Sequence, residues 1–375
     1  MYYLELAGEA SDEALGIAEA ERAAASAVTQ VAPGLATADD IRYDRIQTLA
    51  YTHHISTLIG QTDATQQSAV ALLQATFFDT EYGNHETKTD INSTEMASTN
   101  NHSPQTVAVR ARNVRSTADI STASIERALG DVLVTHGYEI DLENPTYELR
   151  ACFADDTCLL GWAVDRQETT FGSRTPTNRP FFQPGSMAPR DARAYVNLAA
   201  GPTLPEATVF DPMVGTGGIL IEAGLIGATV IGSDVQSKMA VGATQNLAEY
   251  LSTQPWHIFE ADATELPVLN NSIDAVIFDA PYGRQSKIAA DRLSELIAGA
   301  LTETIRIAPR CVIIADRSYT DIATKVGWTV TTQFKRRVHR SLTRYVHILR
   351  RVNDDTASEH DIEGSNHHSL SSCND

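Results

Sequence analysis

From residue 190 to residue 352 the chain keeps one rhythm, a short apolar run followed by an amphipathic helical stretch. Runs such as AVIF at 275–278 and CVIIA at 311–315 carry no polar face, so both sides of each strand must be covered. Parallel strands need a crossover long enough to hold a helix, and the stretches between these runs supply it. The expected fold is therefore α/β, a doubly wound, mainly parallel sheet. Its strands are expected at Thr208–Asp211, Val230–Asp234, His257–Ala261, Ala275–Asp279, Cys311–Ala315, Thr329–Gln333 and Tyr345–Leu349.

Residues 1–168 read differently. Strand-like runs at Tyr2–Leu6, Thr52–Leu58, Val107–Ala111, Tyr147–Phe153 and Cys158–Asp165 flank two helical stretches, Ala18–Gln30 and Ile125–Gly137. This suits a smaller α+β, ferredoxin-like arrangement in two parts, residues 1–70 and 71–168. Residues 84–105 hold almost no large apolar side chains and read as a polar surface insertion. A linker rich in proline and arginine spans 169–189, the larger domain runs from 190 to 352, and the polar stretch 353–375 reads as a disordered tail.

The first strand of the larger domain runs into VFDPMVGTGG, where Asp211 closes the strand and Gly215, Thr216, Gly217 and Gly218 form a turn into a helix. Glycines there let the backbone approach a ligand closely, with amides at the helix start facing it. The acidic residue precedes the glycines, which suits the ammonium and sulfonium of S-adenosyl-L-methionine better than a pyrophosphate. Asp234 closes the second strand, where a carboxylate can accept hydrogen bonds from ribose hydroxyls. Asp262 and Ala263 follow the third, at the adenine edge. Three acidic strand ends in order, on the carboxyl edge of one parallel sheet, mark the place where such sheets bind ligands.

The fourth strand ends in Asp279-Ala280-Pro281-Tyr282-Gly283. An exocyclic amine on an aromatic base is a poor nucleophile because its lone pair is delocalised into the ring. The Asp279 carboxylate and the Ala280 carbonyl can accept both amine protons, Pro281 fixes the backbone that aims that carbonyl, and the Tyr282 ring can stack on the base, worth about 1–3 kcal/mol. These four are the candidate catalytic residues.

DPMVGTGG, the acidic second strand end and DAPYG resemble the amino-methyltransferase branch of the class I S-adenosylmethionine enzymes. RPFFQPGSMAPRDARAYVNLA, DAPYGRQSK and VHRSLTRYVHIL resemble the archaeal tRNA guanine-10 N2-methyltransferase family, and LENPTYELRACFADDTCLLGW resembles its THUMP RNA-binding domain. The resemblance covers most of residues 1–352. It implies a seven-stranded sheet with the last strand antiparallel, tRNA as substrate, and methylation of guanosine 10 to N2-methyl- and then N2,N2-dimethylguanosine. The family motif is D-P-P-Y; Ala280 stands at its second position, keeping the inward carbonyl but losing proline's fixed φ. Guanine N2 at another tRNA or ribosomal RNA position stays open, as does a non-catalytic S-adenosylmethionine-binding RNA-binding protein. Adenine N6 and glutamine N5 use the same motif, but neither needs a tRNA-docking module.

Phosphate contacts are expected from Lys335, Arg336, Arg337, Arg340 and Arg344, in the run KRRVHRSLTRYVHILRR, and from a second cluster, Arg110, Arg112 and Arg115. Arg174 and Arg179 of the linker are expected to bridge these two basic clusters. No run approaches a membrane span and MYYLELAGEA lacks a basic leader, so the chain is expected to be soluble, cytoplasmic and monomeric. Cys152, Cys158, Cys311 and Cys373 form no C-x-x-C pair, so no metal is expected.

Against 48 acidic residues stand 29 basic ones, a net of −19, and only five of the basic residues are lysines. One reading of this excess is a protein that repels nucleic acid; the reading favoured here is a surface suited to high salt, where the Debye length shrinks to about 3 Å at 1 M and distant repulsion vanishes. Thermal melts in rising potassium chloride should therefore shift upward well past 1 M. A protein equally stable in dilute buffer would contradict this reading.

Overall fold

The computed structural model describes residues 1–82, 105–166, 171–282, 290–340 and 342–352. The polar insertion, apart from Gln105, Gly283 of the catalytic motif and the tail from Asn353 lie outside the described residues. The chain divides into two compact units, Met1–Leu204 and Pro205–Asp375.

The first unit contains, in order, β1 (Tyr2–Leu6), α1 (Glu13–Ala23), β2 (Ala25–Ser26), β3 (Thr29–Ala32), β4 (Leu35–Ala38), β5 (Asp40–Ile41), β6 (Thr52–Asp63), α2 (Gln66–Tyr82), β7 (Thr106–Asn113), α3 (Thr122–Thr135), β8 (Glu139–Ile140), β9 (Tyr147–Ala154), β10 (Thr157–Arg166) and α4 (Pro189–Ala200). Eight strands form one sheet in the order β3-β4-β1-β6-β10-β9-β7-β8. The two regions read separately from the sequence are thus joined along β6 and β10, whose antiparallel register runs from Asp63↔Thr157 to His54↔Arg166. Helices α2 and α3 cover one face of the β6-to-β7 part, burying Leu73, Ile125, Leu129 and Leu133 against Val107, Leu149, Phe153 and Leu160.

Helix α1 differs from the sequence expectation of Ala18–Gln30. It starts at Glu13 and stops at Ala23, because Ala27 takes a left-handed φ of 50° and the β-branched residues of Thr29–Ala32 pair as a strand. The helix at the start of the 190–352 stretch also belongs elsewhere than its strand rhythm suggested. α4 packs on α1 in the first unit, tied there by Glu19. The wholly buried Glu19 carboxylate accepts the N–H groups of Ala50 (2.7 Å) and Tyr51 (2.8 Å) and the Asn197 amide (2.7 Å). Asn197 also donates to the Thr48 carbonyl at 2.8 Å, so one carboxylate and one amide join α1, α4 and the loop before β6.

The second unit holds β11 (Thr208–Asp211), α5 (Gly218–Gly224), β12 (Thr229–Asp234), α6 (Ser237–Tyr250), β13 (Trp256–Glu260), β14 (Ala275–Asp279), α7 (Ala290–Ile307), β15 (Arg310–Ala315), α8 (Thr320–Lys325), β16 (Trp328–His339) and β17 (Leu342–Arg351). Its sheet order is β13-β12-β11-β14-β15-β17-β16, parallel except where β17 runs antiparallel to both neighbours. The apolar runs of β14 and β15 are buried on both faces, as their sequence required. The last two strands are longer than expected from Thr329–Gln333 and Tyr345–Leu349. Buried Trp328 anchors β16 through its indole N–H to the Leu301 carbonyl (3.0 Å), and the basic run extends both strands as one hairpin with Lys335↔Tyr345 and Arg336↔Arg344.

Burial raises the Glu19 pKa to about 7 from an ordinary 4.5, against the pull of its hydrogen bonds and the Arg193 charge. A raised folded-state pKa means that the fold favours the neutral acid. The ionisation penalty is absent below about pH 4.5 and complete above about pH 7, reaching roughly 3 kcal/mol. Glu19→Gln escapes that penalty but turns an N–H toward a backbone donor. Its melting deficit relative to wild type should shrink as pH rises from about 4.5 to about 7. A deficit that stays constant or widens across this window would show that Glu19 is ionised throughout.

Candidate active site

The carboxyl edge of the second sheet is organised by three aspartates. Asp211 closes β11, 2% exposed, and its Oδ1 accepts the Met213 N–H at 2.9 Å. Burial drives its pKa well upward, and the nearby Asp234 and Asp279 charges add to that. Asp234 closes β12 and accepts the Gly215 N–H at Oδ2 (3.0 Å) and the Gln236 N–H at Oδ1 (2.9 Å). Its pKa is also raised, by burial. The turn between these acids needs its glycines: Gly215 and Gly217 sit at φ 54° and 76°, and a side chain on Gly217 would meet Leu247 at 2.5 Å. Thr216 contributes its carbonyl to the Asn246 amide at 2.8 Å, and buried Gly218 starts α5.

A cavity of about 280 Å³ opens at this edge. Six expected residues line it, namely Gly215, Asp234, Asp262, Ala263, Asp279 and Pro281. Asp262 accepts both the N–H and the hydroxyl of Thr264 (2.8 and 2.7 Å), which hold its pKa below the usual range. Six more lining residues were not foreseen: Pro212, Met213, Val235, Gln236, Met239 and Leu296. Five of them flank the expected acids in sequence or fill the first turn of α6, so the strand ends themselves were the usable signal. Leu296 comes from α7, and nothing local in the sequence marks it.

These residues fit S-adenosylmethionine. Asp234 would hold the ribose hydroxyls and Asp262 the adenine edge, with Met213, Val235 and Met239 supplying apolar contact for a base. Burial disfavours the ionised forms of Asp211 and Asp234, and a cation seated beside them would favour those forms.

At the end of β14, Asp279 Oδ1 accepts the Tyr282 hydroxyl proton at 2.6 Å. The same hydroxyl oxygen accepts from Nε of Arg344 at 3.1 Å, and Nη2 of Arg344 lies 3.9 Å from Asp279 Oδ2. Burial, followed by the Asp279 charge, raises the Tyr282 pKa far above its ordinary value, so the phenol stays protonated. Arg344 was expected among the phosphate contacts. It is 4% exposed and contacts Tyr282 and Asp279 instead, because β17 sits beside β15 in the sheet and its side chain turns inward. Ala280, where the family has proline, donates its N–H to the Ile314 carbonyl at 2.8 Å. Proline cannot make that bond, so a ladder hydrogen bond restrains the loop in place of a fixed φ.

Of the remaining basic residues, Lys335, Arg337 and Arg340 are exposed on the β16–β17 hairpin and Arg336 is half-buried. His347, in the same run, is fully buried, accepting the Tyr319 N–H at 3.0 Å. In the first unit each arginine of the second cluster has an acidic partner: Arg112 with Glu5 (2.6 Å), Arg110 with Glu148 (3.8 Å) and Arg115 with Glu13. Arg110 and Arg112 still line a cavity of about 410 Å³ with His54 and Arg150. Arg174 and Arg179 are buried within the first unit rather than displayed as a bridge.

The strand order and the strand-end cavity define a class I methyltransferase fold. Residues 176–345 match the RMKL-like, methyltransferase domain family and residues 92–162 the THUMP domain. The chain is 33% identical over 255 residues to the tRNA (guanine(10)-N2)-dimethyltransferase of Methanothermobacter thermautotrophicus, covering 66% of this chain and 74% of that one. It is 32% identical to the enzyme of the same name from Pyrococcus abyssi, over 60% of this chain and 68% of that one. The U6 snRNA (guanine-N(2))-methyltransferase THUMPD2 of Bos taurus is 30% identical over 53% of this chain and 38% of its own length. The chain belongs to the tRNA (guanine(10)-N2)-dimethyltransferase family.

The position of Arg344 separates two roles by experiment. As a positioning residue for Tyr282 and Asp279, Arg344→Ala should lower kcat by up to about 100-fold, the scale of a misplaced catalytic group. RNA affinity and its salt dependence should stay unchanged, and Arg344→Lys should recover part of kcat. A raised KM with a shallower salt dependence at normal kcat would return Arg344 to the phosphate contacts.

Proposed function

We propose that this chain transfers methyl groups from S-adenosylmethionine to the exocyclic N2 amine of guanosine 10 in tRNA, giving N2-methyl- and then N2,N2-dimethylguanosine. The observation that carries this reading is Asp279 on the wall of the same cavity as Asp234 and Gly215, with Tyr282 beside it. Bound S-adenosylmethionine supplies an electrophilic methyl, so the protein has chiefly to position and polarise. Asp279 accepts an N–H of the amine, drawing its lone pair out of conjugation, and takes up the proton released on transfer. General-base help of this kind contributes about 10²–10⁴-fold. The Ala280 carbonyl accepts the second N–H, and the Tyr282 ring stacks on the base, which must leave its helix to reach the sheet edge. The base meets an Asp279 already engaged by the Tyr282 hydroxyl, so a shift of that hydroxyl accompanies its entry.

Docking falls to the THUMP domain and to the hairpin side chains Lys335, Arg337 and Arg340, with the cavity around Arg110 and Arg112 as a second contact. The chain works in the cytoplasm as a monomer, and its acidic surface is an adaptation to high salt. U6 snRNA is the substrate named for one relative, and there the shared element is the amine chemistry rather than the RNA.

Asp279→Ala should abolish methyl transfer while tRNA and cofactor affinities stay within a few-fold of wild type. Nucleoside analysis of tRNA incubated with either protein reads both position and product. Transfer by the variant at near wild-type rate would remove Asp279 from the chemistry, and a methylated guanine elsewhere would move the target.

A further inference from the structure

The first unit concentrates arginines in one place. Phe171 opens the short helical turn Phe171–Arg174, and three guanidinium groups surround its ring: Arg174 at 5.4 Å, Arg193 at 5.8 Å and Arg190 at 6.0 Å from the centroid. Arg190 lies equally close to the Tyr51 ring, at 6.0 Å. Near Arg193 is Arg45, 2% exposed, whose Nε and Nη2 are buried with no hydrogen-bond partner among the described residues. Arg42 and Arg193 are near enough that their charges add to burial in lowering its pKa; the opposing influence is Asp44, an exposed residue. Glu19 accepts the N–H groups of Ala50 and Tyr51 and feels the Arg193 charge, and Asp191 accepts the Tyr51 hydroxyl at 2.6 Å.

The same unit shows how a buried arginine is handled when its task is structural. Arg150, on β9, is 5% exposed and meets Glu148 at 2.6 Å and Glu5 at 3.0 Å. Arg45 has no such carboxylate among the described residues, although the chain carries 48 acids. A guanidinium left so in a low-dielectric setting destabilises the fold unless an anion arrives from outside.

We propose that Arg45, Arg190 and Arg193 form an anion site that takes a backbone phosphate of the bound RNA. This rests on the tRNA-methyltransferase reading above and adds a contact outside the THUMP match, in the first unit, with Arg190 and Arg193 at the start of the methyltransferase-family match. Planar guanidinium forks pair with phosphate oxygens two at a time, and several can share one phosphate. Half-buried Arg42 and Arg190 stand toward solvent and Arg45 lies deeper, so the site grades from entry to seat. Aromatic rings hold the cations apart and in place before the anion binds.

The test uses the full-length protein, tRNA across a potassium chloride series, and the variants Arg45→Met, Arg45→Lys and Arg190→Gln. Arg45→Met should melt no lower than wild type without RNA, since it removes an uncompensated buried charge, yet bind tRNA several-fold more weakly. Its plot of log affinity against log salt should be shallower by roughly 0.7–0.9, the loss of one phosphate contact. Arg190→Gln should shift affinity and slope the same way, Arg45→Lys should lie between, and cofactor affinity should not change. Wild-type affinity and slope in both Arg45→Met and Arg190→Gln would overturn the site. So would an Arg45→Met that melts well below wild type while Arg190→Gln binds normally, the pattern of a structural arginine. Inorganic phosphate that raises the wild-type melting temperature, with tRNA slopes unmoved in every variant, would assign the site to free phosphate rather than RNA. Failure of wild type to bind tRNA would instead sink the parent reading, and this one with it.

Discussion

Carboxylates at a buried sheet edge must be solvated by something other than water. In the second unit that task falls to backbone N–H groups: Met213 donates to Asp211, while Gly215 and Gln236 donate to Asp234. The turn can present those amides only by entering left-handed φ at Gly215 and Gly217, so the glycine pattern and the acids are two sides of one requirement. Burial and the proximity of Asp211, Asp234 and Asp279 make their ionised forms costly, so a cationic ligand, which favours those forms, suits this edge better than an anionic dinucleotide. Fold, loop and ligand preference all depend on this one edge.

That edge was legible in the sequence because each acid sits at the end of an apolar run, and the runs fix where strands end. β11 and β14 lie at their expected residues, Thr208–Asp211 and Ala275–Asp279. What could not be read is what arrives from distant segments. Arg344 looked like one more cation in a basic run; its inward turn follows from β17 lying next to β15, a pairing invisible locally. Leu296 reaches the cavity from a helix whose periodicity says only that one face is buried. Likewise the alanine run after Ala18 has helical propensity throughout, but tertiary pairing of Thr29–Ala32 with Leu35–Ala38 overrides it. Residues 190–200 continued the pattern of the catalytic half, yet Glu19 holds that helix in the first unit.

The hairpin of β16 and β17 carries two functions on one backbone. Alternation along a strand sends successive side chains to opposite faces. On β17 it turns Arg344 and Val346 to one buried face, while on β16 Lys335 and Arg337 face solvent. A single stretch of cationic sequence thus supplies one residue that contacts Tyr282 and Asp279 and others that face solvent. Substitution of Ala280 for proline belongs to the same economy: its N–H bond to Ile314 ties the catalytic loop to β15, the strand against which β17 pairs.

The continuous eight-stranded sheet of the first unit has a kinetic consequence. β6 ends at Asp63, but its partner β10 starts at Thr157, so nearly a hundred residues separate the two sides of the central seam. Closing a loop of that length carries an entropic barrier, and folding rates fall as such distant pairings dominate. During synthesis β6 must emerge and wait, one edge paired with β1 and the other open, until the ribosome has made residues 157–166. The exposed rim of a long strand is a template for pairing with other chains. Half-made chains of this protein therefore carry an open strand edge until late in translation of the first unit, before any part of the second sheet exists.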